Sequence, residues 1–270
     1  MTLRTLRFAA FLLACAATGL RAQAPTGYTN QDEDLPCIEQ TFSLRVHTTF
    51  TPDGPPTFDQ AAFEAMVALT NEAFAPICLR FEVCEYLTTE NYRYHSHENR
   101  DTLERTNIYG DDRRIDVYIP NLDSIPFICG TSSLKGINRN EEAHVAVVNS
   151  CIEPGSYELA HRLGHYFGLY HTFETAFGAE LADSTNCATA GDLVCDTPAD
   201  PFVLGSPIRY TALNNPCRYN AGLQDDNFDQ YAPHTANIMG RYENFCVRGF
   251  TRGQLERMAT TYLSGPRNVW

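Results

Sequence analysis

The sequence is short of basic residues. Its 20 lysines and arginines stand against 33 aspartates and glutamates, and the formal net charge is −13. A surface with such an excess of acids repels phosphate groups, which argues against nucleic acids and anionic membranes as partners. The chain also lacks, beyond residue 22, the run of about 20 apolar residues that a membrane-spanning helix needs. We therefore expect no nucleic-acid partner and no transmembrane segment.

The first 22 residues have the order of a secretory signal. Two arginines precede an apolar run from Phe8 to Ala17, and small residues follow up to Ala22. Cleavage after Ala22 removes three arginines and no acid, so the net charge falls from −13 to −16. The alternative is a lipoprotein anchored at Cys15, because Leu-Leu-Ala-Cys15 resembles a lipobox. Both routes predict an extracellular or periplasmic protein.

Nine cysteines follow Cys15, and they are scattered rather than grouped in C-x-x-C pairs. This usage is typical of compartments in which disulfides persist. Cys78 and Cys84 share one face of a predicted strand, but at about 3.3 Å per residue they would lie roughly 20 Å apart, beyond disulfide reach. We expect each to find its partner elsewhere, and the odd number leaves one thiol over.

The rest of the chain divides into a leader and one domain. Residues 23–36 are polar, acidic and rich in turn formers, which predicts a flexible leader. Residues 37–270 form a single α+β domain by their pattern of strand, helix, strands and helix, followed by loops and a last helix. The predicted strands are 42–48, 77–83, 115–119 and 145–148, and the predicted helices open at Thr57, Ser156 and Thr251.

One segment, which runs from Leu159 to His171, carries the chemistry. His161 and His165 are four residues apart on a predicted helix, so their imidazoles project from one face and can share an ion. Gly168 can end the helix in a conformation that other residues disfavour, and the returning chain presents His171 as a third ligand. Three histidines leave a fourth position for water, which is the open tetrahedral arrangement of a catalytic zinc ion.

The sequence resembles the pappalysin and cytophagalysin group of metzincins, which are secreted zinc endopeptidases. The resemblance extends from about residue 42 to 264 and is carried by the histidine segment together with Gly191-Asp-Leu-Val-Cys-Asp-Thr-Pro-Ala199, Asn237-Ile-Met239, Cys246 and Phe250-Thr-Arg-Gly-Gln254. It implies an upper subdomain that ends at about residue 171, with a twisted mixed sheet and the active-site helix. It also implies a loop-rich lower subdomain, about 172–270, with a methionine turn at Met239.

The same resemblance implies further ligands and two cross-links. A peptide would lie extended in the cleft, along an edge strand within residues 127–137. Calcium would bind near Asp192, Asp196 and Thr197, whose hard oxygen atoms suit it, although an acidic surface loop explains these residues equally well. The implied disulfides are Cys187 with Cys217 and Cys195 with Cys246.

Two positions depart from the pattern of the family. Active members have glutamate directly after the first histidine, where it takes a proton from the zinc-bound water, and this chain has Arg162. A guanidinium stays protonated and has no acceptor, so Arg162 cannot act as a base. The family usually has tyrosine two residues after the methionine, and this chain has Arg241, with Tyr242 one position off.

Glu158 is the remaining candidate for a base. It lies one helical turn before Arg162 and could approach the cleft. The competing interpretation is structural, because an acid in the first turn is favoured by the helix dipole and can pair with Arg162 at i, i+4.

Three hypotheses follow for the function. The leading one is a secreted zinc-binding pseudopeptidase that retains the fold and is catalytically dead or strongly impaired. The second is an active metallopeptidase that uses a substitute base such as Glu158. The third is a binding protein without any metal, which metal content would separate from the other two.

Overall fold

The computed structural model describes residues 35–49, 54, 58–89, 114–120, 129–138 and 143–265. The predicted signal peptide, the Cys15 anchor and nearly all of the predicted leader lie outside these residues, so those predictions stay untested. Within these ranges, none of the helices combines the length and the apolar character that crossing a membrane requires.

A five-stranded mixed sheet forms the first half of the molecule. Its strands are β1 (Gln40–Thr49), β2 (Leu79–Thr89), β3 (Ile115–Ile119), β4 (Gly130–Ser132) and β5 (Val145–Val147). The spatial order is β2-β1-β3-β5-β4, and only the β4–β5 pairing is antiparallel. Three of the four predicted strands are confirmed, whereas the second begins at Leu79 rather than at residue 77, because Ala75–Ile77 form a 3-10 helix and Cys78 has a left-handed backbone. Strand β4 lies at the edge of the sheet.

Three helices accompany the sheet: α1 (Gln60–Phe74), α2 (Glu158–Tyr166) and α3 (Arg252–Ser264). The predicted opening of α1 at Thr57 is wrong, because Asp59 caps the helix by accepting the Ala62 amide hydrogen bond at 2.9 Å. The cap of α3 by Thr251 and Gln254 is confirmed. Helix α2 begins at Glu158 rather than at Ser156, whose hydroxyl accepts from the Glu158 amide at 3.3 Å.

An aromatic cluster joins the elements into one core. Phe74 on α1 packs edge-on against Phe81 of β2 at 5.1 Å and against Phe250 at 5.2 Å between ring centroids. Phe42 of β1 lies 5.6 Å from Phe167, which directly follows α2. Each of these five phenylalanines is at most 2% exposed. Because Phe250 precedes α3, this cluster ties the end of the chain to the sheet.

The chain between residues 172 and 250, called the loop part below, contains little regular structure. Its two short strands are β6 (Thr211–Ala212) and β7 (Asn215–Tyr219), which form an antiparallel pair. Buried carboxylates organise the loops instead. Asp225, for example, accepts hydrogen bonds from the amides of Ala182, Asn227 and Asp229, each 2.9 Å long. Residues 35–171 are called the sheet part.

Four disulfides cross-link the described chain. Cys37 pairs with Cys78 and Cys129 with Cys151 in the sheet part. The prediction that Cys78 and Cys84 do not pair is confirmed, and the Cys84 sulfur is exposed 3.4 Å from the Ser43 hydroxyl oxygen.

The pairings implied by the resemblance for the loop part are wrong. Cys187 pairs with Cys195 and Cys217 with Cys246, with Cα atoms 5.0 and 5.2 Å apart. The loops fold so that Cys187 meets a cysteine only eight residues away, which leaves the other two to pair with each other.

Candidate metal centre

Helix α2 and the turn behind it bring the three predicted histidines together. His161 and His165 project from one face of α2, and Gly168 turns the chain with a φ of +96°. A side chain at residue 168 would strain this backbone, and its Cβ would lie 2.8 Å from the hydroxyl oxygen of Thr261 on α3. Glycine is therefore required at the point where the chain returns with His171.

The Nε2 atoms of the three imidazoles converge. Those of His161 and His165 lie 3.1 Å apart, those of His165 and His171 3.1 Å, and those of His161 and His171 3.2 Å. The Nδ1 atom of His161 donates to the Ile238 carbonyl at 2.7 Å, and that of His165 donates to the Leu169 carbonyl at 2.8 Å. Because a carbonyl only accepts, both rings carry their proton on Nδ1, so each Nε2 presents a lone pair.

This arrangement fits a metal ion. Lone pairs that face one another at this distance repel unless a cation lies among them, and nitrogen triads of this kind suit zinc. Burial lowers the pKa of His161 well below its usual value, that of His165 to about 4 and that of His171 to about 2. The nearby Arg162 guanidinium adds to each shift. The imidazoles are thus neutral at pH 7, which is the form that binds metal.

Met239 packs beneath the helix that carries the histidines. A Cβ at Gly164 would lie 2.6 Å from the Met239 sulfur, so only glycine at residue 164 admits the methionine. The Asn237 side chain accepts from the Met239 amide at 2.8 Å, and the Met239 carbonyl accepts from the amide of Thr172 at 3.2 Å. The turn at Met239 is thereby fixed both to α2 and to the residue after His171. Sequence analysis missed Gly164, although its place between the two histidines marks the same helix face.

Arg162 is buried and paired with Glu158. Its Nε donates to Glu158 Oε1 at 2.5 Å, and its Nη2 also contacts that oxygen. Arg162 is 5% exposed and Glu158 8% exposed, so water screens this pair poorly. The i, i+4 pairing predicted from sequence is confirmed. The Arg162 side chain also reaches the edge strand, because a Cβ at Gly130 of β4 would lie 3.1 Å from its Nε.

Tyr242 does not face the histidines. Its hydroxyl donates to Asp200 Oδ1 at 2.8 Å. The other oxygen of Asp200 accepts from the Thr172 hydroxyl at 2.8 Å, so the carboxylate connects the chain after His171 with the chain after Met239. Burial, together with the charge of Asp200, raises the pKa of Tyr242 far above its usual value, so Tyr242 stays a hydrogen-bond donor. Asp200 is a second residue that sequence analysis missed.

Arg241 occupies a different place, in the wall of a cavity of about 470 Å³ that reaches His161 and Glu158. It is half-buried, and both Glu158 and Arg162 influence it electrostatically. The two positions that depart from the family pattern therefore both interact with Glu158.

The three residues suggested for calcium are divided between two places. Asp192 is buried and accepts from the Thr197 hydroxyl at 2.9 Å and the Val194 amide at 2.9 Å. Asp196 instead caps α3, where it accepts from the Thr251 hydroxyl and the Gly253 amide at 2.7 Å each. The structure brings Asp192 and Thr197 together, while the Asp196 carboxylate is bonded at the start of α3.

Glu180 lies beside Asp192 and was not identified from sequence. It is 6% exposed, and the side chain of Ser184 interacts with its carboxylate. A Cβ at Gly191 would lie 2.2 Å from Glu180 Oε2, so glycine makes room for the acid. Burial and the charge of Asp192 raise the pKa of Glu180 to about 7, and burial raises that of Asp192 to about 7.

Comparison with known proteins finds similarity to metalloproteases. Residues 132–262 match the model of the Peptidase_M43 family, described as pregnancy-associated plasma protein-A. Extracellular metalloprotease 1 of Coccidioides posadasii is 25% identical over 206 residues, which are 73% of this chain and 66% of that protein. An extracellular metalloprotease of Pyricularia oryzae is 33% identical over 103 residues, or 38% of this chain and 28% of that protein. The chain thus spans less than two thirds of either relative.

Solved structures show the same fold. Mature mirolysin of Tannerella forsythia, in complex with a cleaved peptide, superposes with a TM-score of 0.56 at 14% identity, over 84% of this chain and 91% of that one. A complex of mirolysin with a small compound gives the same TM-score over 86% of this chain and 94% of that one. At this identity the likeness concerns the fold.

Proposed function

We propose that this chain, a member of the metzincin-type Peptidase_M43 family of pappalysin-like metalloproteases, is a secreted zinc-binding protein whose peptidase activity is lost or strongly reduced. The observation that carries this proposal is Arg162. It occupies the position of the general base, is buried, and is neutralised by Glu158 rather than by a group of the substrate.

The histidine triad is the part of the site that this proposal retains. His161, His165 and His171 would hold the zinc through Nε2, and the carbonyls of Ile238 and Leu169 would keep two of the rings in the required tautomer. Bound zinc would supply a Lewis acid and lower the pKa of a water molecule. Arg162 can neither accept a proton from that water nor shuttle one to a leaving amine, and its charge adds repulsion towards the cation.

The active-peptidase hypothesis requires a substitute base such as Glu158. Its carboxylate is held at 2.5 Å by the Arg162 guanidinium, and both groups are buried. To act as a base, Glu158 would have to leave this pair, and separating a buried pair costs about 3–5 kcal/mol. The metal-free hypothesis is opposed by the three converging Nε2 atoms, because the Ile238 and Leu169 carbonyls leave a lone pair on two of them, for which a cation is the natural partner.

Secretion and a peptide ligand belong to the same proposal. The curated relatives are named extracellular metalloproteases, four disulfides cross-link the described chain, and residues 1–22 have the order of a signal. The edge strand β4, within the predicted stretch 127–137, offers the backbone groups that an extended peptide pairs with. We place the domain at residues 37–270, with the upper subdomain ending near residue 171.

A calcium ion is a further part of the proposal. Asp192 and Thr197 supply two oxygen-bearing side chains of the predicted set, and Glu180 supplies two more oxygens. Two buried carboxylates side by side are unfavourable without a cation, and calcium takes carboxylate and carbonyl oxygens in flexible numbers.

The experiment combines metal content with a cleavage assay on the purified mature protein. We expect about one zinc per chain, because a triad of this kind binds zinc tightly, and cleavage of a denatured, dye-labelled protein at background with or without a chelator. Loss of a general base typically lowers the rate by about 10²- to 10⁴-fold.

The control variant is Glu256→Gln, which removes the acid of a partly exposed i, i+4 pair with Arg252 on α3. Chelator-sensitive cleavage that disappears in Glu158→Gln and persists in Glu256→Gln would establish the active peptidase instead. Absence of zinc after incubation with the metal would favour the metal-free binding protein.

A further inference from the structure

The three histidines of the triad differ in what orients their rings. His161 and His165 each donate from Nδ1 to a backbone carbonyl, that of Ile238 and that of Leu169 respectively. The Nδ1 atom of His171 makes no hydrogen bond with the other residues that the structure describes. A ligating histidine usually donates its second N–H to a protein group, and that bond fixes the orientation of the ring. His171 therefore needs another means of orientation.

The ring of Phe173 stacks on the imidazole of His171. The two planes are nearly parallel, with an interplanar angle of 14°, and the ring centroids lie 4.6 Å apart. This is the offset stacking that aromatic pairs prefer. If the imidazole turned about its Cβ–Cγ bond, one edge would be pushed against the phenyl ring. The stacking contact thereby restricts the direction in which Nε2 of His171 points.

Phe173 is in turn held by the loop part. Its ring meets that of Phe202 edge-on, with 5.1 Å between the ring centroids. The Phe202 amide donates to Asp200 Oδ1 at 3.1 Å, and the Thr172 hydroxyl donates to Asp200 Oδ2 at 2.8 Å. The segment that carries Phe173 is thus joined to the segment that carries Phe202 at two points, by the ring contact and through the carboxylate. The phenyl ring therefore has little freedom to move away from the imidazole.

We propose that Phe173 is a positioning residue for the metal. It holds the imidazole of His171 in the plane from which Nε2 points towards those of His161 and His165, as the backbone carbonyls do for those two rings. This inference rests on the proposed function, in which the triad binds zinc. It adds a residue that contributes no ligand atom, and it makes the orientation of the third ligand depend on the loop part. Loss of a group that orients a ligand typically lowers metal affinity by about 10- to 100-fold.

The test measures the zinc affinity of the purified mature protein by competition with a chromophoric chelator. Phe173→Leu keeps an apolar side chain and removes the flat ring, so we expect zinc to bind at least about tenfold more weakly than in the wild type. Phe173→Tyr keeps the ring, and its hydroxyl can reach water because Phe173 is only half-buried, so its affinity should stay within about threefold of the wild type. Phe228→Leu removes an exposed ring elsewhere in the loop part and is the matched control.

A double-variant cycle separates positioning from general destabilisation. If Phe173 acts through His171, adding Phe173→Leu to His171→Ala should change zinc affinity by less than about twofold, because the ligand that the ring orients is already gone. A merely structural role would weaken zinc binding equally in both backgrounds. If Phe173→Leu does not fold, Phe173→Met replaces it with the same expectation, since the flexible methionine side chain fills irregular space but has no flat ring.

The outcomes distinguish this inference from the proposed function. Wild-type zinc affinity in Phe173→Leu, an equal loss in Phe173→Tyr, or an equal loss with and without His171 would overturn the inference, and a zinc-binding wild type would leave the proposed function intact. Peptidase activity in the wild type would overturn the proposed function and leave this inference standing, because the test measures bound zinc and not cleavage. A wild type that binds no zinc would overturn both.

Discussion

The sheet part and the loop part keep their shapes by different means. In the sheet part, buried apolar residues from β1, β2, β3 and α1 form one continuous core. In the loop part, carboxylates such as Asp192, Asp200 and Asp225 gather the hydrogen bonds of the surrounding chain, and the disulfides Cys187–Cys195 and Cys217–Cys246 close it. A core formed by apolar burial depends little on pH or redox state, whereas carboxylates and disulfides depend on both.

The metal centre combines the two kinds of structure. His161 and His165 come from a helix packed in the core, while His171 is the last residue of the sheet part and directly precedes the loop part. The carboxylate of Asp200 and the carbonyl of Met239, both in the loop part, hold Thr172 next to this third ligand. The comparison therefore predicts that disturbing either part weakens metal binding, but by different routes.

The largest effect, on zinc content, is expected for removal of a metal ligand from the sheet part. His161→Ala should lower bound zinc from about one per chain to below about a tenth, because two nitrogens hold the ion far less well than three. Metal content by mass spectrometry after dialysis measures this. His234→Ala, which changes an exposed histidine of the loop part, is the matched control. Retention of stoichiometric zinc by His161→Ala would show that the triad is not the site.

A smaller, regional effect is expected from the disulfides. Replacing Cys217 and Cys246 by serine opens a cross-link of 29 residues, which is worth about 3–4 kcal/mol in the chain-entropy model. Hydrogen exchange should then accelerate across the loop part and leave the strands of the sheet protected.

The corresponding double replacement of Cys37 and Cys78 serves for comparison, since that bridge spans 41 residues of the sheet part. We expect it to lower the melting temperature without selective exchange in the loop part. Uniform exchange in both variants would mean that the two parts unfold as one unit and that the contrast between them is wrong.

The smallest effect concerns Glu180 and Asp192. In the unfolded chain both ionise near pH 4, whereas in the folded protein they keep their protons up to about pH 7. Between these values the folded state binds more protons, so stability falls as the pH rises from about 4 to 7. The melting temperature of calcium-free protein should therefore drop by a few degrees over this interval.

Calcium should reverse this drop. A cation between the two carboxylates favours their ionised forms, so 1 mM calcium should raise the melting temperature more at pH 8 than at pH 5 (on the order of a few degrees). Glu180→Gln should abolish the difference, and Asp226→Asn, an exposed acid of the loop part, should not. A calcium effect that survives in Glu180→Gln would place the ion elsewhere.

The sequence predicted best the features that depend on regular spacing. The strands, the histidine face of α2 and the Glu158–Arg162 pair follow from periods of 2 or 3.6 residues, and the cap of α3 follows from the capping-box spacing of Thr251 and Gln254. The start of α1 failed because Asp59 stood two residues after Thr57 and offered a competing cap, which spacing alone does not rank.

The loop part resisted prediction because its contacts have no period. Glu180 meets Asp192 across 12 residues of irregular chain, and the disulfide partners of Cys187 and Cys217 depend on the loops that carry them. Asp200 likewise reaches Tyr242 across 42 residues. Carboxylates that organise loops look, in a sequence, like any other surface acids.

The central claim is that Arg162 in place of the general base accounts for most of the lost activity at a site that keeps its three zinc ligands, and the rate of zinc-dependent cleavage in Arg162→Glu tests it most directly. Arg162→Glu alone would leave Glu158 buried without its counterion. The double variant Glu158→Gln with Arg162→Glu avoids this and is measured beside the single variant. We expect cleavage of a denatured protein to rise at least tenfold above wild type, to require zinc and to increase further with Arg241→Tyr. Robust chelator-sensitive cleavage by the wild type, lost in Glu158→Gln and not improved by Arg162→Glu, would contradict the account.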